Sequence, residues 1–449
     1  MKPFGWQLVA ASSLSLALAH AEIRPQYGGT AHMLLGSAPN SLDPVSPQAD
    51  PFTAGKLLHL IYDTLVSIND SDNIQPELAV SWEVDKDRKH WRFRLRPGVK
   101  FEDGSPLTAD LVATSLRQVN TWSVFPEGDS IEIDLQQADD LLPAELSLTK
   151  NAIVKRNESA PSGTGPFRVG KWESGKRLVL TANEEYWGGR PFLNSVEIEF
   201  GRSYRDQETA LELGRADLVE IATEQARRLE TGARHVSASG PLELLALVFA
   251  HEAQSANESK LRQALTLSID RISIRDVLLG GQGDLAAGIL PNWITGYEFL
   301  FANEMDVRKA QEERGEVSQA PVWTLGYNSR DPVSKVVAER IALNARDVGL
   351  RVQLATGAKA DMQLVRIRLQ SMNPGIALKT AAVELGLPEP KLEGVNVQQV
   401  YEAEAALLQG QKIIPLFHVP VVYGVGSAVK GWKARLDGSW PLTDVWLGH

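Results

Sequence analysis

Hydrophobic and polar positions alternate with two distinct periods along this chain. Trp91, Phe93 and Leu95 are each followed by an arginine, Arg92, Arg94 and Arg96, which is the two-residue period of a strand with one buried face. Pro97-Gly98 ends that strand in a turn, and Val99 and Phe101 are expected to resume it. Asp103-Gly104 marks a second turn, and Thr108 is placed to cap a helix with Leu111, Val112, Ser115, Leu116 and Val119 on one face. The helical period returns at Leu57, Leu58, Ile61, Tyr62 and Leu65, predicting a helix over 52–66, and at Leu261, Ala264, Leu265, Ser268 and Ile269. Further strands are predicted at 131–135, 178–181, 196–200 and 244–250, with a strand–helix–strand unit over 322–354. In that unit Asp331 caps and Pro332 opens the helix, Gly349 stops it, and the two strands are expected to be parallel. Such alternation of strands and helices describes an α/β protein.

Composition narrows the class. Met1 to Ala21 carries Lys2, an apolar core from Leu8 to Ala19 and a small-x-small end at Ala19-His20-Ala21, the pattern of a cleaved secretory leader. Its apolar run is shorter than the ~20 residues a spanning helix needs. Without that segment 45 basic and 56 acidic residues remain, a net charge of −11 over 428 residues. This balance argues against nucleic acid or an anionic membrane as the main partner, and the length suits two lobes rather than one core. Cysteine is absent, so no disulfide, thiolate metal site or lipidated cysteine is available. The expected product is periplasmic, soluble, not lipidated and monomeric.

Several ordered motifs go further. They are Pro76-Glu77-Leu78-Ala79 leading into the 91–112 stretch, Tyr62-Asp63-Thr64-Leu65, Gly163-Thr164-Gly165-Pro166-Phe167, Asn183-Glu184-Glu185-Tyr186-Trp187-Gly188-Gly189-Arg190-Pro191, Leu211-Glu212-Leu213-Gly214, and Leu261-Arg262-Gln263-Ala264-Leu265 through Asp270-Arg271. In this order they resemble the family 5 extracellular solute-binding proteins, the peptide and nickel receptors of ABC importers. The resemblance implies a bilobed periplasmic-binding-protein-like α/β fold of the type II, cluster C-like kind. It implies lobe I over 22–247, lobe II over 248–414 and a return to lobe I over 415–449, with hinges near 247–250 and Pro415. The interval 121–161, where relatives carry a large extra subdomain, is short here and implies a reduced accessory subdomain. It also implies an inner-membrane ABC permease as partner and a small, peptide-like solute as ligand, held by hinge closure without bond making or breaking.

Candidate ligand residues follow from the same resemblance. Ser37, Ala38 and Pro39 open a loop ending Leu42-Asp43-Pro44 that is similar to the family's cleft-lining loop; a plain surface loop is the alternative. Tyr62 is either a cleft aromatic or a core tyrosine. Asp361 stands where peptide-binding relatives begin an acidic, aromatic segment, but the carboxylates and tryptophan expected downstream are missing and Arg366 and Arg368 stand nearby. If those arginines face the cleft they suit an anionic ligand; otherwise they form a solvated strand face alternating with Val365, Ile367 and Leu369. The departure leaves a second functional reading open, a degenerate receptor serving as sensor or interaction partner without transport.

Enzyme and cofactor motifs fail on inspection. Residues 170–177 have phosphate-loop spacing, yet Arg177 replaces the Ser/Thr that would hold magnesium. His251-Glu252 begins a zinc-protease motif in which Ser255 replaces the second histidine. No catalytic set, metal site or cofactor is therefore expected.

Overall fold

The computed structural model describes residues 24–46, 55–156, 161–226, 235–302, 304–329, 331–355, 359–392 and 396–448. The leader over 1–21 lies outside the described residues. Two sheets organise the chain. A seven-stranded sheet runs in the order Phe167–Glu173, Arg177–Ala182, Ser195–Glu199, Thr30–Leu34, Leu218–Ile221, Val422–Val425 and His235–Ala238. A six-stranded sheet runs Asp284–Leu285, Ile413–Val419, Glu243–Phe249, Met362–Arg368, Val322–Gly326 and Arg351–Ala355. Each has its own apolar core. Met33, Leu178, Val196, Ile198, Tyr423 and Trp440 lie in the first, and Leu245, Leu265, Leu325, Ile341 and Phe417 in the second. A third core, around Phe93, Val112, Leu116 and Ile131, belongs to a four-stranded sheet, Ala79–Val84, His90–Leu95, Ser130–Asp134 and Ser123–Glu127, under the helix Ala109–Arg117. The chain crosses between the two large sheets at 239–242 and at 420–421, side by side: Ser239 N donates to Val421 O and Val421 N donates to Ser239 Oγ, both at 3.0 Å.

The two periods read from the sequence take physical form in these elements. Trp91, Phe93 and Leu95 are buried while Arg94 is exposed. Thr108 Oγ1 accepts from Leu111 N at 3.3 Å, satisfying a donor at the helix start. Asp331 Oδ1 likewise accepts from Val333 N at 3.0 Å at the start of helix Pro332–Asp347, and Gly349 leaves that helix at φ +79°. The strands on either side of this helix are parallel. Leu261, Ala264, Leu265 and Ser268 are buried on the helix Ala256–Ser268, as their spacing requires.

Other expectations need correction. The helix over 52–66 ends earlier, in a tight turn Leu58–Leu60, and Val66–Ile68 is a strand. The segment 163–165 crosses directly over this end: Gly165 N donates to Ile61 O at 2.9 Å, and a Cβ at Gly163 would lie 1.9 Å from that oxygen. Another helical turn has no room there. Val99 and Phe101 are buried but do not resume a strand; only Lys100 bridges to Pro106. The accessory interval holds more than one strand: Ser123–Glu127 pairs with Ser130–Asp134 at the sheet edge despite Pro126, a position where a missing N–H costs least, and Lys155–Arg156 pairs with Pro161–Ser162. Both expected hinge segments, 247–250 and Pro415, fall within or beside strands of the six-stranded sheet, outside the two crossings.

Candidate functional site

Three motifs far apart in sequence meet at one carboxylate. Thr164 Oγ1 donates to Asp63 Oδ2 at 2.9 Å, Trp187 Nε1 donates to the same oxygen at 2.8 Å, and Tyr186 OH donates to Oδ1 at 3.3 Å. Asp63 is buried, and burial raises its pKa against the pull of these three bonds. The Arg96 guanidinium stacks over Trp187, 4.3 Å from the ring centroid. The glycines of 163–165 let the chain lie flat enough against Ile61 for Thr164 to reach this carboxylate. The cluster is structural, and it fixes the wall of the cavity beside it.

That cavity has a volume of about 410 Å³ and lies between the lobes, within the usual range of ~300–1,000 Å³ for small-ligand sites. Lobe I contributes His59, Tyr62, Asp63 and Glu77; the six-stranded sheet contributes Arg368 and the residues that follow it; the C-terminal segment contributes Arg435 and Trp440. Its lining is thus charged with both signs. Burial and the nearby Asp63 carboxylate push Glu77 up to about 7. Burial lowers the pKa of His59, whose Nε2 lies 3.0 Å from Trp440 O. That geometry makes Nε2 the protonated nitrogen and leaves Nδ1, which has no partner, as an acceptor.

Beside the cavity two ion pairs, one on each lobe, face each other. Lys56 Nζ donates to Glu220 Oε1 at 2.6 Å, and Glu220 Oε2 accepts from Gly36 N at 3.0 Å. On the facing sheet Arg366 holds Glu243 Oε2 at 2.7 and 2.5 Å. Burial works to lower the Lys56 pKa, but the Glu220 carboxylate, with Glu243 and Tyr423, more than offsets it. Glu220 is opposed by burial in the same way and held below the ordinary carboxylate range by Lys56. A second, very small cavity of about 20 Å³ lies on the far side, against Tyr204, Thr223, Asp331 and Arg366.

The structure brings Tyr62 and Arg368 to the larger cavity and Arg366 to the smaller one. Tyr62 is also a core residue, so its two readings are not exclusive. Neither arginine is on a solvated face: Arg368 is 6% exposed and Arg366 is half-buried. Ser37 is exposed, Ala38 packs on the lobe I core and Pro39 is buried; none of the three lines either cavity. Asp361 is exposed and lines neither, its Oδ2 accepting from Thr324 N and Oγ1 at 2.7 Å. Lys56, Glu220, Glu243, His59 and Arg435 were not anticipated. The available signal was a single charge inside an apolar run, as at Lys56 before Leu57-Leu58 and Glu243 between Leu242 and Leu244. Among the described residues, one group offers three metal-ligand atoms within 4.8 Å of one another: Asp85, Asp87 and His90, all exposed at a hairpin turn. His90 Nδ1 already lies 2.7 Å from Asp134.

The model of the bacterial extracellular solute-binding proteins, family 5, matches residues 73–380. This chain belongs to that family. Among similar curated proteins, the "Probable D,D-dipeptide-binding periplasmic protein DdpA" of Escherichia coli K12 is 24% identical over 324 residues, 65% of this chain. The nickel-binding periplasmic protein of the same organism is 26% identical over 366 residues, 70% of this chain. The matched stretches span 63% and 69% of those two proteins' own lengths. Among solved structures, NikA from Staphylococcus aureus in complex with Ni(L-His)2 superposes with a TM-score of 0.80 at 17% identity, covering 93% of this chain and all of that one. DppA from Helicobacter pylori in complex with the peptide STSA gives 0.79 at 19%, covering 95% and 99%. The fold is therefore the bilobed one of the periplasmic binding proteins. No helix among the described residues is long and apolar enough to cross a membrane.

Proposed function

We propose that this family member is the substrate-binding component of an ABC importer, exported to the periplasm, that captures a small peptide-like solute between its lobes and delivers it to a permease. The observation that carries this reading is the 410 Å³ cavity, lined from both lobes by groups of opposite charge. Such a lining suits a zwitterion, whose two ends need opposite partners. Relatives named for dipeptides, peptides and nickel support the general class. The family is one of binding proteins, and binding followed by hinge motion needs no catalytic group. The unit boundaries fit this scheme if lobe I ends and resumes at the crossings 239–242 and 420–421. The test is thermal unfolding of the purified protein against di-, tri- and oligopeptides, organic acids, sugars and nickel chelates. A ligand at about 100 times its dissociation constant adds ~2.7 kcal/mol; a peptide that raises the Tm supports the reading, and silence across the panel from ligand-free protein overturns it.

A second reading is favoured by a separate observation. Lys56 pairs with Glu220 within lobe I and Arg366 with Glu243 within the facing sheet, and the two pairs lie near enough for Glu243 to act on Lys56 and Arg366 on Glu220, so opposite charges meet across the cleft without a ligand. A receptor that closes on itself would serve as a sensor or interaction partner rather than a carrier. Its mark would be a closed solution shape in protein free of ligand, unchanged by any member of the panel.

A further inference from the structure

Arg368 ends the strand Met362–Arg368 and is buried, 6% exposed. Its side chain threads between lobe I and the C-terminal segment. The Cβ of an alanine at Gly55 would stand 3.7 Å from its Cζ, and one at Gly438 would stand 2.8 Å from Nη2. Nη2 donates to the carbonyl of Asp437. Nη1 is buried and has no partner. Neither nearby acid pairs with it. Glu243 is opposite Arg368 in the strand register, yet Arg366 binds its Oε2 and its buried Oε1 makes no bond to Arg368, and Asp437 Oδ1 accepts from Ser439 N at 2.8 Å and Oγ at 2.7 Å. Among the described residues no carboxylate is in ion-pair range of Arg368.

A buried guanidinium without a counter-charge is costly. This one lines the 410 Å³ cavity, together with Arg435 and the unpartnered His59 Nδ1. We propose that Arg368 is the anchor for a ligand carboxylate, with His59 Nδ1 accepting an N–H from the same ligand. The ligand class is then an acid carrying an N–H near its carboxylate, as the C-terminal residue of a peptide does. Arg366, already neutralised by Glu243, takes no part. The proposal rests on the solute-binding reading above and specifies which end of the solute is read and by what.

Matched probes test it on the full chain: Ala-Ala against Ala-Ala amide, and glutarate against glutaramide, by thermal unfolding and calorimetry at millimolar concentration. Free acids are expected to raise the Tm, and amides to bind far more weakly. Arg368→Gln should bind the acids about ten- to a hundredfold less tightly, the scale of one lost charged hydrogen bond. Arg368→Lys keeps the charge without the fork and should fall between; it carries the test if the glutamine variant does not fold. Arg94→Gln, on the exposed face of the accessory sheet and away from the cavity, should leave acid binding near the native value. Amides that bind as well as acids, or an Arg368→Gln that binds acids as the native protein does, overturn the assignment while solute binding stands. If no probe of any charge binds, the assignment and the solute-binding reading fall together.

Discussion

Asp63 gives one carboxylate to three donors from distant segments, so removing it should be felt by all of them. Asp63→Ala would leave the Thr164 hydroxyl, the Trp187 N–H and the Tyr186 hydroxyl without their acceptor, at a cost of roughly 3 kcal/mol or more. Asp63→Asn keeps an oxygen for Thr164 and Trp187 and removes a charge that burial already disfavours, so its cost should stay within about 1 kcal/mol. Denaturant unfolding of the two variants decides; equal losses would mean that the charge, not the acceptor, holds the site. Glu404 offers a second test at this scale. It is fully buried, accepts from Leu290 N at 3.0 Å and from the Tyr297 hydroxyl at 2.6 Å, and burial pushes its pKa up to about 7 from 4.5. Between those values the folded state holds a proton that the unfolded state has released. Stability should therefore fall as pH rises from about 4.5 to 7, by up to about 3 kcal/mol at 1.36 kcal/mol per unit. Glu404→Gln should flatten that slope, read from unfolding midpoints at pH 5 and pH 8; an unchanged slope would exclude Glu404 as its source.

At the scale of elements, the end of the first lobe I helix is set by what crosses it. A Cβ at Gly163 would fall 1.9 Å from Ile61 O and 2.7 Å from the Tyr62 ring, so Gly163→Ala must push the two segments apart. The expected loss is about 2–3 kcal/mol, with a lowered Tm; a neutral Gly163→Ala would mean that the crossing is looser than it stands here. The same crossing marks where the sequence could be read and where it could not. Period alone locates Trp91, Phe93, Leu95 and the helix from Thr108, because half-buried elements write their own faces. It overruns at 61–66, because the stop comes from Gly163 and Gly165, a hundred residues away. The edge strand Ser123–Glu127 shows no alternation and contains Pro126, so only its partner Ser130–Asp134 is legible. Arg366 and Arg368 sit on a strand that was read correctly, but their burial depends on Glu243, Gly55 and the segment 437–438, none of which is close in sequence. Motifs reveal that Tyr62, Gly163 and Trp187 matter without revealing that they meet.

For the whole molecule, the question is what holds the lobes together when the cavity is empty. Besides the facing ion pairs, an apolar contact bridges the segment that follows the accessory sheet and lobe II. Leu141, Ala144 and Leu148 pack on Ile376 of the helix Pro374–Glu384, where Gly375 lets Leu141 approach. Lys379 and Asp139 flank it at 3.8 Å. The two crossings are short and tied to each other through Ser239 and Val421, so a change in the angle between the two sheets has to be taken up there. A ligand can shift such an equilibrium only by its differential affinity for the two arrangements, so a pre-existing latch reduces what the ligand must supply. Ile376→Glu would bury a charge in this contact and should open the lobes without unfolding either core. Small-angle scattering should then show a larger radius of gyration than the native protein at unchanged far-ultraviolet circular dichroism. A bound solute touching both lobes should restore the compact value, because its contacts to Arg368 on one side and His59 on the other exist only when the cleft is shut. A variant as compact as the native protein without ligand would show that the facing ion pairs alone hold the lobes closed, and would favour the receptor that needs no solute.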